Sequence, residues 1–208
     1  MQPVIIGIAG GTGAGKSTLV ENIRTDFKTY GIAVIPQDAY YHANTTIPES
    51  ERRLKNYDHP DAIDWQLLQQ HIIELQNGNT IHQPVYSMLT CSRKDDVIIV
   101  EPAPIILVDG ILIFTQEKMR NLFALKIFMD TDLESRYQRI VQRDLNERGR
   151  NLQQVNERFK KTVQPMHIEF IEPSKIFADM IITGGGKNAE AIQLATNAIR
   201  KLLGDGGL

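Results

Sequence analysis

Val4-Ile5-Ile6-Gly7-Ile8-Ala9-Gly10-Gly11-Thr12-Gly13-Ala14-Gly15-Lys16-Ser17 is the stretch that decides the fold. Its second half, Gly10 to Ser17, reads Gly, four residues, Gly-Lys-Ser, the pattern of a phosphate-binding loop. Context gives the pattern its weight. Val4 to Ala9 is a short apolar run of the buried-strand type, and Leu19, Val20, Ile23 and Phe27 then recur at helical spacing. Strand, glycine loop and helix form the required setting; the plain alternative is a glycine-rich turn with a surface lysine. Glycines let backbone N–H groups close around phosphate oxygens. The new helix turns the positive end of its dipole to the same anion. Gly10, Gly11, Thr12, Gly13, Ala14, Gly15, Lys16, Ser17 and Thr18 are therefore expected to cradle a nucleoside triphosphate. Lys16 reaches the outer phosphates and the Ser17 hydroxyl holds Mg²⁺.

The 208 residues are long enough for one domain with a real core. Lys and Arg total 23 against 25 Asp and Glu, a formal charge of -2, which leaves no electrostatic footprint for nucleic acid or an anionic membrane. No apolar run approaches the ~20 residues of a membrane span. The apolar stretch near the N-terminus has no charged region before it, unlike a signal peptide. The single cysteine excludes an internal disulfide and suits a reducing compartment. A cytoplasmic protein is expected.

Working outward, Ile32 to Ile35 reads as a second strand ending at Pro36-Gln37-Asp38. A short helix is expected near Ser50 to Leu54, a loop over Tyr57 to Ala62, and a helix from Trp65 to Gln76 capped by Asp64 and ended by Gly78. The stretch 80–100 reads as a β-hairpin insertion. Ile105 to Val108 is an all-apolar strand of the parallel-core type running into Asp109-Gly110, and Leu125 to Met129 is another. Thr131 with Glu134 suggests a capping box for a helix to about Asn146. A second long helix spans about Leu152 to Phe170, where Pro165 should introduce a kink. Met180 to Thr183 is a last strand, Asn188 caps a C-terminal helix, and 204–208 reads as a frayed tail. Strands alternating with helices call for an α/β fold, a parallel sheet covered on both faces. The expected organisation is one P-loop kinase domain over 1–208, with the hairpin at 80–100 and a lid region at 143–158.

Asp38 and Asp109 both fall at carboxyl ends of predicted strands, the edge of an open parallel sheet where the phosphate loop also sits. Asp38 there suits either a base that takes the proton of an attacking hydroxyl or a carboxylate that binds Mg²⁺ through water, and Asp109 suits a Mg²⁺-holding carboxylate; both residues are also common turn formers. Arg136, Arg139, Arg143, Arg148 and Arg150 cluster. They are either a solvated basic face or, for Arg148 and Arg150 around Gly149, a lid that closes over phosphates and offsets developing charge. A GTPase would carry Asn-Lys-x-Asp and Asp-x-x-Gly, and neither occurs. A dinucleotide-binding Gly-x-Gly-x-x-Gly fails because Lys16 stands at its third glycine. A small-molecule kinase leads on these motifs, and they do not name its acceptor.

At this point the sequence resembles the uridine kinase (uridine-cytidine kinase) family over about Ile5 to Leu203. The carrying segments are the phosphate loop, Pro36-Gln37-Asp38-Ala39-Tyr40-Tyr41, Tyr57-Asp58-His59-Pro60-Asp61-Ala62, Pro84-Val85-Tyr86, Gly110-Ile111-Leu112 and Arg143-Asp144-Leu145-Asn146-Glu147-Arg148-Gly149-Arg150. The Asp-His-Pro and Glu-Arg-Gly-Arg segments set it apart from phosphoribulokinase and pantothenate kinase. The resemblance implies transfer of a phosphate from ATP or GTP to the 5′-hydroxyl of uridine or cytidine in pyrimidine salvage. It implies Asp38 as catalytic base, Asp58 as the carboxylate holding the ribose hydroxyls, Tyr57 and Tyr86 as aromatics of the nucleoside pocket, and Arg150 as a substrate contact. It also implies a homotetramer, inhibited by CTP or UTP in some members.

Departures from the family pattern gather at the acceptor side. Cys91 stands where the family has a base-reading His, Ile140 where it has a substrate-contacting Arg, and Arg158 where it has Gln. Arg158 is expected to restore the charge missing at Ile140. Asp109 replaces the usual Glu, and Thr183-Gly184-Gly185 replaces a usual Pro-Arg-Gly. Two other readings stay open: a related kinase acting on a different nucleoside or hydroxyl compound, and a nucleotide-binding regulatory protein.

Overall fold

The structure is a computed structural model that describes residues 2–186 and 188–204. A five-stranded parallel sheet forms its centre. The strands are β1 (Val4–Gly10), β2 (Ile32–Pro36), β5 (Ile105–Gly110), β6 (Leu125–Asp130) and β7 (Met180–Thr183), in the order β2-β5-β1-β6-β7. A separate antiparallel pair, β3 (Ile81–Ser87) and β4 (Ser92–Val100), is the hairpin expected over 80–100. The helices are α1 (Lys16–Asp26), the short α2 (Glu49–Arg52), α3 (Trp65–Gln76), the short α4 (Glu117–Arg120), α5 (Leu133–Glu147), α6 (Leu152–Arg158) and a C-terminal helix over Ala189–Leu202.

The apolar runs are continuous because both faces of the sheet are covered. In β1, Ile5 and Ala9 belong to one core while Ile6 and Ile8 belong to the other. In β5, Ile106 and Val108 face the first core, and Ile105 and Leu107 the second. The first core takes Leu68, Ile72 and Leu75 of α3; the second takes Leu19 and Ile23 of α1 with Ala195 and Ile199 of the C-terminal helix. Among the described residues no helix is long and apolar enough to cross a membrane.

Two expectations are corrected. The N-cap of α5 is Asp132, whose carboxylate accepts from Ser135 N at 2.8 Å. The neighbouring Thr131 is buried and donates its hydroxyl to the Ala14 carbonyl at 3.0 Å, so a tertiary contact with the phosphate loop takes the residue that local pattern assigned to the cap. The helix expected to end near Phe170 runs on, and around Pro165 it is not a regular α-helix. Instead the chain opens into π-helical turns at Phe159–Val163 and His167–Ile171, and helical turns continue to Ser174. Gln164 N bonds the Phe159 carbonyl and Glu172 N the His167 carbonyl, each closing a wide turn just before Pro165 and Pro173. A proline has no N–H to give and crowds the carbonyl four residues back; a wide turn placed immediately before it accommodates both. The predicted tail lies, from 205 on, outside the described residues.

Candidate active site

The phosphate loop joins β1 to α1 with Gly10, Gly13 and Gly15 at φ of 141°, 80° and 98°. At all three positions space is closed as well, a Cβ on Gly15 lying 2.7 Å from Gly186 N. A Cβ on Gly10 would lie 2.5 Å from the Met129 carbonyl oxygen, and one on Gly13 would lie 2.7 Å from that of Arg136. Arg136 is itself buried, donates Nε to the Thr131 carbonyl at 3.1 Å, and packs its guanidinium against Gly11. The first turns of α5 therefore buttress the loop from behind. On the opposite side Asn22 donates to the Gly186 carbonyl at 3.1 Å, laying the Gly184-Gly185-Gly186 turn over the start of α1.

A cavity of about 530 Å³ opens at the carboxyl edge of the sheet. Thr12, Gly13, Gly15, Lys16, Ser17 and Thr18 line it; Gly10, Gly11 and Ala14 support the loop without lining it. Lys16 donates to the carbonyls of Gly10 at 2.9 Å and Gly11 at 3.2 Å. Burial lowers its pKa, against Asp109 and Asp38, which raise it. Asp38 follows β2 on a 3-10 turn (Gln37–Tyr40) and accepts from the Tyr41 hydroxyl at 3.3 Å. Asp109 stands beside Pro36 at the end of β5. Burial pushes it up to about 6, with Lys16 opposing and Asp38 adding to the rise. Gln37 locks this edge: its buried Oε1 accepts from Leu112 N at 2.8 Å, and a Cβ on Gly110 would meet that oxygen at 2.3 Å.

Asp58, Arg143, Arg148 and Arg158 line the same cavity. Asp58 is buried and accepts from Arg158 Nη2 at 2.6 Å, so Arg158 faces the site. Ile140 is buried in a small cluster with Val155, Phe159 and Val163, the apolar contact that seats α6 on α5. Arg150 is turned away from the cavity, with Nη1 2.6 Å from Asp144 Oδ2. Tyr57 and Tyr86 do not line the cavity. They form a wall beside it with Tyr41, with ring centroids 5.4 Å (Tyr41–Tyr57), 5.0 Å (Tyr41–Tyr86) and 6.2 Å (Tyr57–Tyr86) apart. Cys91 sits at the hairpin turn with φ 52° and donates its thiol to the Met88 carbonyl at 3.7 Å. Its own carbonyl accepts from the Tyr57 hydroxyl at 3.4 Å. Arg93 pins the hairpin to the segment after β2 and to the start of α3, donating Nε to the Tyr41 carbonyl at 2.8 Å and Nη2 to Asp64 at 3.1 Å.

Tyr41, Arg139 and Arg143 are cavity residues that sequence reasoning did not place there. The stripe of arginines was visible, and only packing reveals that Arg139 bonds the Gly13 carbonyl at 3.0 Å. Among the described residues no group of three or more His, Cys, Asp or Glu is arranged to hold a metal. Ser17 with Asp109 and Asp38 is an all-oxygen set of few carboxylates. That fits Mg²⁺, which takes one or two carboxylates and fills its shell with water and phosphate oxygens.

The arrangement can therefore hold a polyphosphate at one end and present carboxylates to a hydroxyl acceptor at the other. The profile of the Phosphoribulokinase / Uridine kinase family matches residues 5–191. A uridine kinase of Halalkalibacterium halodurans is 45% identical over 202 residues, covering 97% of this chain and 96% of that protein. One of Clostridium novyi is 43% identical over 205 residues, covering 99% of each. The solved phosphoribulokinase of Rhodobacter spheroides shares the fold at a TM-score of 0.65 with 14% identity, over 88% of this chain and 70% of that one.

Proposed function

The chain belongs to the phosphoribulokinase/uridine kinase family, and from that premise we propose that it transfers the γ-phosphate of ATP to the 5′-hydroxyl of uridine or cytidine. The observation that carries the reading is that Asp38, Asp58 and Lys16 line one cavity, since the reaction needs a base, an acceptor-holding carboxylate and a phosphate-holding cation together.

The residues divide the work as follows. Backbone N–H groups from Gly10 to Thr18 cradle the triphosphate and Lys16 neutralises its outer oxygens. Ser17 and Asp109 would hold Mg²⁺, which supplies charge neutralisation between the phosphates. Asp58 accepts the two vicinal ribose hydroxyls, since an ionised carboxylate is an acceptor with room for both. Arg158, already bonded to Asp58, donates to the same sugar oxygens. Tyr57, Tyr86 and the turn at Cys91 form the side against which the base stacks. Asp38 takes the proton of the 5′-hydroxyl as that oxygen attacks phosphorus. Arg148 offsets charge that builds on the transferring oxygens. Arg150 acts from outside the cavity. GTP is the alternative donor that the family resemblance implies.

We read the chain as one kinase domain carrying a hairpin and a lid, working in the cytoplasm, where its single cysteine stays reduced. Val97, Ile98 and Ile99 on β4 are 50%, 50% and 62% exposed, an apolar strand that suits burial against a second copy in a homotetramer. The test of the function is steady-state phosphorylation with Mg·ATP against uridine, cytidine, their deoxy forms, adenosine and guanosine. Uridine and cytidine should turn over well above the rest. Bound ATP with no nucleoside turned over would overturn the acceptor assignment.

A further inference from the structure

Asp144 has no exposed surface and does not line the cavity, yet four arginines converge on it. Arg143 donates Nε and Nη2 to Oδ1 at 3.0 and 2.8 Å. Arg148 Nε lies 3.7 Å from the same oxygen. Arg150 Nη1 donates to Oδ2 at 2.6 Å, and Arg158 Nη1 lies 3.5 Å from it. Gly149, at φ 62°, reverses the chain after α5 so that Arg148 and Arg150 both return to the same carboxylate, and Arg150 N also bonds the Asp144 carbonyl at 3.2 Å. A structural ion pair needs one guanidinium. Four around one carboxylate leave a surplus of positive charge, and like charges gathered this closely hold together only around an anion. Three of the four, Arg143, Arg148 and Arg158, present that surplus to the cavity. Burial would raise the pKa of Asp144, but Arg143, Arg148 and Arg158 hold it below the usual range, so it remains the array's fixed anion. Arg158 carries the arrangement further, because its Nη2 is bonded to Asp58. Asp58, Arg158, Asp144, Arg143 and Arg148 thus form one continuous charge chain from the acceptor end of the cavity to its phosphate end.

We propose that Asp144 is a positioning residue that holds Arg143, Arg148 and Arg158 as a single array and links occupancy of the acceptor carboxylate Asp58 to the arginines that meet the transferring phosphate. It touches no reacting group; its effect passes through the three guanidiniums. This rests on the kinase reading above.

The test compares the full chain with its Asp144→Asn and Asp144→Glu variants, with Mg·ATP and uridine. Asp144→Asn keeps the shape and removes the charge, and should lower kcat by about 10- to 100-fold, less than the ~10²–10³-fold cost of losing a transition-state donor outright, because the arginines stay and only their placement loosens. KM for uridine should rise at the same time, through Arg158. Asp144→Glu restores the charge on a longer stem and should recover part of kcat. A merely structural carboxylate would give a lower melting temperature with kcat and KM of the folded enzyme unchanged in both variants, and that result overturns the proposal. If Asp144→Asn does not fold, Arg150→Met decides instead. It removes the 2.6 Å bond to Asp144 from outside the cavity, and unchanged kcat in it overturns the proposal. If the unaltered chain does not phosphorylate uridine, the function above falls on its own. Equilibrium binding of Mg·ATP then decides this inference: weaker binding by Asp144→Asn supports it and equal binding overturns it.

Discussion

Arg158 donates to Asp58 at 2.6 Å across one hundred residues of chain, joining α6 to the loop that follows α2. Both side chains line the cavity, and in the proposed function the pair is part of the acceptor surface. A charge-assisted hydrogen bond is worth about 1.5–3 kcal/mol. Arg158→Leu should therefore raise KM for uridine by roughly 10- to 100-fold in a steady-state assay. An unchanged KM would show that the guanidinium does not meet the nucleoside.

Asp38→Asn preserves the shape of the turn after β2 and removes the base. General-base catalysis contributes typically 10²–10⁴-fold, so kcat should fall within that range while equilibrium binding of Mg·ATP stays nearly unaltered. Turnover that survives the substitution would place the base elsewhere.

Gly110→Ala tests the lock at the sheet edge. Its Cβ would meet Gln37 Oε1 at 2.3 Å, so Gln37 must move and Leu112 N loses its partner. Urea unfolding should show a loss of about 1–3 kcal/mol, the range for forcing extra atoms into a packed site. Undiminished stability would mean that Gln37 has another position open to it.

His167 gives the fold a pH limit. Burial first, then Arg136, lowers its pKa to about 4, against pull from Glu172. In the unfolded chain the value is near 6.5. Between these values the unfolded state binds more protons than the folded one, so stability is fully present above about 6.5 and is lost as pH falls toward 4. The loss is of the order of 3 kcal/mol. His167→Gln should flatten that portion of the stability–pH curve in chemical denaturation, and an equal slope in both proteins would assign the acid sensitivity to other groups.

Much of the fold could be read from sequence, for a physical reason. β1, the glycine loop and α1 carry local signals that agree with one another, and the apolar run Ile105 to Val108 admits only a strand buried on both faces. Asp38 and Asp109 were readable as residues of the cavity edge because both fall at the carboxyl ends of strands. Contacts distant in sequence were not readable. Thr131 and Asp132 are both acceptable caps, and the choice is made by a carbonyl 117 residues away, at Ala14. In the sequence Asp144 is one charge among several between Arg143 and Arg150. The convergence on it is complete only when α5 and α6 pack through Ile140, Val155 and Phe159 and bring Arg158 to it.

The two π turns after α6 also set how this segment can vary. Val155, Phe159, Val163 and Ile171 are all buried, and His167 keeps the same four-residue step between them. On a helix of 3.6 residues per turn a step of four advances the face by about 40°, so Ile171 would be carried about 160° away from Val155. The wide turns take up that drift, and the stripe reaches two clusters: Val155, Phe159 and Val163 pack with Ile140, and Ile171 packs in the first core. The segment therefore works as a phase-locked spacer with a period of four. Gaining or losing a single residue would rotate everything downstream off the protein, whereas a change of four would preserve its phase.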